Sequence, residues 1–321
     1  MGKVFVTRQT PGRALDMLRE AGHDVETWPG ADAPPPEALA AGLAGADAAL
    51  TMVVDHVTAA MLNGAKNLRV LANMAVGYDN LNPAEAAKRG IVVTNTPGVL
   101  AETTADMAWA LLMAAARNVV ASDRDTRAGG WTTWSPTAFL GVDVFGATLG
   151  IVGLGEIGEA MARRARGFEM RVLYASRTRK PEAEQRLGIE FATLDDVLGA
   201  ADFVSLHTPL TAETRHLIGA RELARMKRSA FLINTARGGV VDQDALIAAL
   251  REGRIAGAAL DVTDPEPLPL DNPLYSFPNV VITPHIASAS LATRARMAEM
   301  AAANIIAVLA GRPPVNPVPQ V

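Results

Sequence analysis

The sequence predicts an α/β protein of two domains, each a doubly wound parallel β-sheet with helices on both faces. Short apolar runs alternate with helix-like segments over the first hundred residues, and the alternation resumes from Ala147 to about Pro284. Such alternation is typical of parallel sheets, because each crossover between parallel strands carries a helix. The length of 321 residues agrees with two domains, since a domain averages about 150 residues.

The first block contains five predicted strands with helices between them. Lys3–Thr7 is the first strand, and a helical pattern follows over Pro11–Ala21. Pro83–Arg89 is typical of a helix, because it begins with proline and is followed by Gly90. The other predicted strands are Asp24–Thr27, Ala48–Val53, Val70–Met74 and Ile91–Val93.

A long apolar segment separates the two blocks. Glu102–Val120 predicts one helix that is apolar on nearly every side, and such helices are buried between layers, domains or subunits. Residues 128–146, rich in Gly, Thr and aromatic side chains, predict an irregular loop.

The second block contains six predicted strands and ends before a long helix. The strands are Thr148–Val152, Arg171–Ala175, Phe203–Leu206, Ala230–Ile233, Gly257–Leu260 and Val280–Ile282. Helices are expected to begin near Glu156, Pro181, Leu194, Arg221 and Asp242. Ala287–Ala310 predicts an Ala-rich helix near the C-terminus.

Composition excludes several classes of protein. There is no cysteine, which excludes disulfides, thiolate metal sites and a cysteine nucleophile. A net charge of −4 gives no electrostatic reason to expect nucleic acid as a partner. No two of the five histidines have metal-ligand spacing, so no metal is expected. The longest apolar run, Met107–Ala116, is far shorter than the ~20 residues of a membrane span, and the N-terminus lacks a signal-peptide pattern. We therefore expect a soluble cytoplasmic protein that binds neither nucleic acid nor membrane.

A glycine-rich motif in the second block points to a dinucleotide. Gly153, Gly155 and Gly158 form a G-x-G-x-x-G that follows a predicted strand and opens a predicted helix, with Leu154, Glu156 and Ile157 between them. The first glycine permits a tight turn, the second lets the backbone approach a pyrophosphate, and the third allows close helix–strand packing. The helix N-terminus then faces the anion. The second block is therefore predicted to be a Rossmann domain.

The end of the next strand favours a phosphorylated cofactor. NAD-binding folds place an acidic residue about 20 residues after the first glycine, whereas this chain has Ser176 there, followed by Arg177 and Thr178. A carboxylate would repel a 2′-phosphate, while a hydroxyl and a guanidinium bind it. We expect NADP(H) to be preferred, with NAD(H) possible. The alternative is a solvated basic loop that is indifferent to the phosphate.

Three further segments follow strands and carry reactive groups. They are Asn234–Gly239, Leu260–Pro267 and Thr283–Ser288. In open parallel sheets, ligands gather beyond the carboxyl ends of the strands. These segments can therefore converge near the nicotinamide.

Six motifs in order carry a family resemblance over nearly the whole chain. They are Val76–Asn80, Gly153–Gly158, His207–Thr211, Asn234–Gly238, Ala259–Pro267 and Pro284–Ser288. With these motifs the chain resembles the D-isomer-specific 2-hydroxyacid dehydrogenases, and most closely their glyoxylate/hydroxypyruvate reductase branch. The resemblance implies NAD(P)H-dependent reduction of a small 2-keto acid, glyoxylate to glycolate or hydroxypyruvate to D-glycerate.

The resemblance also implies roles for individual residues. Arg237 would bind the substrate carboxylate, and His285 would protonate the carbonyl oxygen as hydride arrives. Glu266 would hydrogen-bond His285, fix its tautomer and raise its pKa. The backbone amides of Val76 and Gly77 would bind the carboxylate from the other domain, where Met52 also lines the pocket. The remaining expected cofactor contacts are Asp261, near the nicotinamide, with Thr104, His207, Pro209, Thr235 and Ala236.

The family fold implies a discontinuous first domain. Residues 1–100 and 286–321 would form a flavodoxin-like substrate-binding domain, and residues 101–285 the dinucleotide-binding Rossmann domain. The substrate would lie in the cleft between them. The long helix 102–120 and the loop 128–146 resemble the family's dimer-forming region, so a homodimer is expected.

Two other functions stay open at this point. The chain is also compatible with another enzyme of the same family, a D-lactate-type, phosphoglycerate or phosphite dehydrogenase. A nucleotide-sensing corepressor or binding module on the same scaffold is the other alternative, because such proteins can retain the catalytic set.

Overall fold

The computed structural model describes residues 1–319, and these divide into two compact units. Unit 1 consists of Met1–Leu100 together with the described residues from Ser288 onward, and unit 2 of Ala101–Ala287. Gln320 and Val321, which the sequence assigns to the first domain, lie outside the described residues.

Unit 1 is a five-stranded parallel sheet in the order β2-β1-β3-β4-β5. Its strands are β1 (Lys3–Val6), β2 (Asp24–Thr27), β3 (Ala48–Thr51), β4 (Val70–Asn73) and β5 (Val92–Thr94). Its helices are α1 (Ala14–Glu20), α2 (Pro36–Ala44), α3 (Ala59–Gly64), α4 (Pro83–Ala87) and α12 (Leu291–Leu309). This strand order is the flavodoxin-like form of the doubly wound fold.

The central strands of unit 1 are covered on both faces. Every residue of β3 and β4 is buried, as expected for parallel strands with helices on either side. α12 packs against β3, β4 and α1 and buries Met297, Ala301 and Ile305. The last helix therefore completes the core of the first unit.

Unit 2 is a seven-stranded parallel sheet in the order β12-β11-β10-β9-β6-β7-β8. Its strands are β6 (Thr148–Val152), β7 (Arg171–Ala175), β8 (Glu190–Phe191), β9 (Phe203–Leu206), β10 (Phe231–Asn234), β11 (Gly257–Leu260) and β12 (Val280–Ile282). Its helices are α5 (Ala101–Ala116), α6 (Val119–Arg127), α7 (Glu156–Ala165), α8 (Pro181–Leu187), α9 (Leu194–Ala200), α10 (Ala220–Arg225) and α11 (Gln243–Arg251). Short 3₁₀ turns lie at Arg166–Phe168, Gly238–Val240 and Pro273–Ser276. The first six strands in chain order follow the Rossmann arrangement, which confirms the predicted fold class.

The single helix predicted over 102–120 is wrong. α5 ends at Ala116, and α6 begins at Val119 after Asn118, whose φ of 54° lies in the left-handed region. Asn tolerates this conformation better than most residues. Its side-chain amide also donates to the carbonyl of Leu140 at 3.0 Å, which anchors the break to the following loop.

Two helix starts also differ from the prediction. α1 begins at Ala14 rather than Pro11, because Gly12 has a φ of 76° and interrupts the helical backbone. α12 begins at Leu291 rather than Ala287, because Ser290 is its N-cap and accepts a hydrogen bond from Thr293 N–H at 3.1 Å.

No helix within residues 1–319 combines the length and the apolar character needed to cross a membrane.

Candidate active site

The predicted glycine loop joins β6 to α7 in unit 2. Gly153 has a φ of 96°, and a Cβ added there would lie 2.8 Å from the backbone of His207. A Cβ at Gly158 would collide with the carbonyl oxygen of Gly153. Both positions therefore require glycine on steric grounds, for the turn and for the packing of α7 on the strand.

The space in front of this loop suits an anion. A Cβ built at Gly155, the N-cap of α7, would meet nothing within 4 Å, so the backbone is approachable there. The first N–H groups of a helix have no intrahelical acceptor, and the helix dipole adds a partial positive charge. The buried hydroxyls of Thr208 and Thr235, which follow β9 and β10, have no hydrogen-bond partner within the described chain. These residues fit a dinucleotide with a pyrophosphate and ribose hydroxyls.

The basic loop after β7 is partly engaged in its own unit. Arg179 forms a two-pronged ion pair with Glu184, whose Oε1 also accepts a hydrogen bond from Tyr174 Oη at 2.7 Å. The Tyr174 hydroxyl in turn accepts the backbone N–H of Lys180 at 2.7 Å. This arrangement fixes the end of the loop, while Arg177 at its start is exposed.

His207 lies at the end of β9, where its backbone touches the glycine loop. Its Nε2 is 2.9 Å from Ser205 Oγ, and its buried Nδ1 has no hydrogen-bond partner within residues 1–319. Burial lowers the pKa of His207 to about 4. The ring is therefore neutral at physiological pH.

Arg237 follows β10 in a loop whose shape is set by Asn234. The Asn234 side chain donates to the carbonyl of Arg237 at 2.9 Å and accepts the N–H of Ala236 at 3.0 Å. A Cβ at Gly238 would overlap the backbone of Thr263, so this loop packs directly on the loop that follows β11.

His285 and Glu266 lie within hydrogen-bonding distance of each other, as the resemblance implies. His285 Nδ1 lies 2.8 Å from Glu266 Oε2, and both side chains are about a quarter exposed, at 26% and 29%. Glu266 is oriented in turn, because its Oε1 accepts the N–H of Thr263 at 3.1 Å. Since β10, β11 and β12 are neighbours in the sheet, Arg237, Glu266 and His285 all follow adjacent strand ends.

The carboxylate of Asp261 holds the loop that carries His285. It is 1% exposed and accepts hydrogen bonds from Thr283 Oγ1 at 2.6 Å, Ile286 N at 2.9 Å and Ala287 N at 2.7 Å. The backbone N–H of His285 donates to the Asp261 carbonyl at 2.9 Å. Sequence reasoning missed this role, because it depends on the pairing of β11 with β12 rather than on local spacing.

The other expected cofactor residues, Thr104, Pro209 and Ala236, differ in exposure. Thr104 is buried on α5 at 4% exposure, whereas Pro209 is exposed in the loop after β9. Ala236 is half-buried in the Arg237 loop.

The expected substrate residues of unit 1 lie in two loops at the carboxyl edge of its sheet. Met52 follows β3, and Val76 and Gly77 follow β4; all three are half-buried. Met52 N–H donates to the buried carboxyl of Asp55 at 2.6 Å. Burial raises the pKa of Asp55, against hydrogen bonds that favour the charged form.

Comparison with known proteins assigns the family. A family model described as "D-isomer specific 2-hydroxyacid dehydrogenase, NAD binding domain" matches residues 109–287. The chain belongs to the D-isomer specific 2-hydroxyacid dehydrogenases and is an NAD(P)-dependent dehydrogenase with a nicotinamide cofactor.

Individual relatives indicate the branch of the family to which the chain is most similar. The chain is 52% identical over 319 residues to the glyoxylate reductase of Korarchaeum cryptofilum (strain OPF8), covering 99% of this chain and 96% of that protein. Among solved structures it is similar to the TT0316 protein of Thermus thermophilus, with a TM-score of 0.93, 51% identity, and coverage of 99% and 100% of the two chains. It is also similar to the NADPH-dependent glyoxylate/hydroxypyruvate reductase of Sinorhizobium meliloti in complex with NADP and malonate, with a TM-score of 0.87, 33% identity, and coverage of 99% and 97%. The family and branch predicted from the six motifs are confirmed.

Proposed function

We propose that the protein reduces glyoxylate to glycolate and hydroxypyruvate to D-glycerate, with NADPH as the preferred reductant. The observation that supports the proposal is the 2.8 Å distance between His285 Nδ1 and Glu266 Oε2. These two residues follow β12 and β11, and Arg237 follows β10, the next strand in the sheet. The K. cryptofilum and S. meliloti reductases support the choice of substrate and cofactor.

His285 is the proton donor in this proposal. Because Nδ1–H donates to Glu266, Nε2 is the nitrogen that exchanges a proton with the substrate. When bound, the nicotinamide cofactor supplies a hydride to the keto carbon. The Nε2 proton goes to the carbonyl oxygen, which becomes the hydroxyl of the product, and the Glu266 carboxylate stabilises the protonated ring before transfer.

Three groups bind the substrate carboxylate in the same proposal. The Arg237 guanidinium offers two parallel N–H donors, the geometry that best matches a carboxylate. The backbone N–H groups of Val76 and Gly77 donate to the same anion, and Met52 lines the pocket.

In this proposal the cofactor is bound by loops at the carboxyl ends of the strands of unit 2. The amides of the 153–158 loop bind the pyrophosphate. Because Arg179 is already paired with Glu184, the 2′-phosphate is bound by Ser176 and Arg177. The other proposed contacts are Leu154, Glu156, Ile157, Thr178, His207, Pro209, Thr235, Ala236, Asp261 and Thr104.

A homodimer is part of the proposal. The segment between α6 and β6 exposes large apolar side chains, with Trp131 at 70%, Trp134 at 79%, Leu140 at 71% and Phe145 at 64% exposure. Concentrations of exposed apolar side chains of this kind mark interfaces between subunits.

Turnover with a substrate panel tests the function and the cofactor preference together. Among keto acids reduced with NADPH, we expect glyoxylate or hydroxypyruvate to give the highest kcat/KM, above pyruvate. D-lactate, phosphoglycerate and phosphite, which can only be oxidised and are tested with NADP+, should give lower kcat/KM values. NADPH should exceed NADH in kcat/KM by at least about tenfold, the ratio that one charge-assisted interaction of about 1.4 kcal/mol produces. No turnover with any keto acid would favour the binding-module alternative.

A matched pair of variants isolates the phosphate contact. Arg177→Ala should abolish the preference for NADPH, whereas Arg179→Ala, two positions away in the same loop, should retain most of it. A parent enzyme that prefers NADH, or two variants that behave alike, would contradict the role of Arg177.

A further inference from the structure

A buried polar network in unit 1 lies beneath the two loops that carry Met52 and Gly77. Its central member is Asn80, which is 5% exposed and which the proposed mechanism does not use. The Asn80 amide nitrogen donates to the carbonyl of Met52 at 2.9 Å and to that of Asp55 at 3.0 Å. One side chain from the loop after β4 therefore fixes both ends of the turn after β3.

Asn73 extends the network to the Gly77 backbone. Its amide nitrogen donates to Asn80 Oδ1 at 3.0 Å and to the carbonyl of Gly77 at 2.9 Å. Its Oδ1 accepts a hydrogen bond from Thr51 Oγ1 at 3.2 Å, and both Asn73 and Thr51 are fully buried. Loss of any one member would leave buried polar atoms without partners, which is costly.

The peptide groups on the N-terminal side of Gly77 are held through their carbonyls. The Ala75 carbonyl accepts Thr96 N–H at 2.9 Å, and the Val76 carbonyl accepts Asn95 Nδ2 at 2.8 Å. In a planar trans peptide the N–H points opposite to the C=O. The N–H groups of Val76 and Gly77 therefore point away from the loop after β5, and within residues 1–319 neither is hydrogen-bonded to an acceptor.

We propose that Asn80 is a positioning residue for the keto acid, because it ties the Met52 turn to the strand end from which the Val76 and Gly77 amides project. The inference rests on the proposed function, which assigns these residues to the substrate. Asn80 acts through Asn73 and the backbone and does not itself touch the substrate. Small displacements of such binding groups have large effects on substrate affinity.

Asn80→Ala tests this role with a neutral side chain. A neutral substitution is needed, because a carboxylate at this position would repel the anionic substrate directly. We expect KM for glyoxylate to rise at least about tenfold, equivalent to about 1.4 kcal/mol. The Kd for NADPH should stay within about twofold, since the proposed cofactor residues all belong to unit 2.

Asn82→Ala is the matched control for loss of stability. Asn82 is the N-cap of α4 and accepts the N–H of Glu85 at 3.1 Å, so its removal destabilises the same unit without removing a hydrogen bond of the Asn73–Asn80 network. We expect its KM for glyoxylate to stay within about twofold of the parent. If both variants raise KM equally, or if Asn80→Ala leaves KM unchanged, the inference is overturned.

A second pair serves if Asn80→Ala does not fold. Thr51→Val removes the hydroxyl that donates to Asn73 while keeping the shape, and Thr51→Ser keeps the hydroxyl. We expect KM for glyoxylate to rise about fivefold in Thr51→Val and to stay near the parent value in Thr51→Ser. Equal KM values for the two variants would overturn the inference. Absence of turnover by the unchanged protein would overturn the proposed function and this inference with it, whereas an active parent with unchanged variants overturns the inference alone.

Discussion

His285 occupies a backbone conformation that non-glycine residues rarely adopt. Its φ is 53°, and the hydrogen bonds that Asp261 accepts on either side of it hold the chain in that shape. Left-handed backbone at a non-glycine residue costs free energy and persists only where the surroundings enforce it. The position of the imidazole therefore depends on the buried carboxylate of Asp261, at the neighbouring strand end, as well as on Glu266.

Replacement of the imidazole should separate chemistry from binding. We expect His285→Asn to lower kcat for glyoxylate by about 10²–10⁴-fold, the range that general acid–base groups contribute, while the Kd for NADPH stays near the parent value. Single-turnover kinetics and a cofactor titration measure the two effects. A variant with near-normal kcat would show that His285 is not the proton donor.

His207 should make stability depend on pH. Its pKa of about 4 in the folded protein lies below its ordinary value of 6.5, so protonation favours the unfolded chain. Above about pH 6.5 His207 is neutral in both states and does not lower the free energy of unfolding. As the pH falls from about 6.5 towards about 4, the free energy of unfolding decreases by up to about 1.4 kcal/mol per pH unit. Urea unfolding of His207→Asn over this range should show a shallower decline than the parent. His56→Asn, at an exposed position, is the control. If the free energy of unfolding falls with pH equally in the parent and in His207→Asn, His207 is not the source of the pH dependence.

At the scale of elements, the parts of the site that depend on local spacing could be predicted. The glycine loop is one example, because Gly153 and Gly158 meet steric requirements set by the strand and helix on either side. The placement of Arg237, Glu266 and His285 at strand ends is another, because parallel strands bring their carboxyl ends to one edge.

The parts that depend on contacts between distant segments could not be predicted. Asn118 breaks an apolar run that local pattern assigns to one helix, and its partner Leu140 lies in a later loop. Asp261 lies far from Ala287 in sequence, and its role follows only from strand pairing. Asn80 meets Met52 for the same reason, since β3 and β4 are neighbours.

At the scale of the whole molecule, the exposed apolar side chains between α6 and β6 allow a test of the proposed dimer by substitution. We expect light scattering after size-exclusion chromatography to give the mass of a dimer. Leu140→Asp should shift the protein towards the monomer, because it puts a charge into the proposed interface. Leu270→Asp is the control, since Leu270 is also a highly exposed leucine of unit 2, at 93%. A monomeric parent, or equal effects of the two substitutions, would contradict the dimer.

The discontinuity of unit 1 has a consequence for the order of synthesis. α12 packs on β3, β4 and α1, yet it leaves the ribosome only after all of unit 2 has been made. Domains tend to fold as soon as their residues are available during translation. Unit 2 can therefore fold first, while the surface of β3 and β4 that α12 covers stays exposed until the last helix has been synthesised.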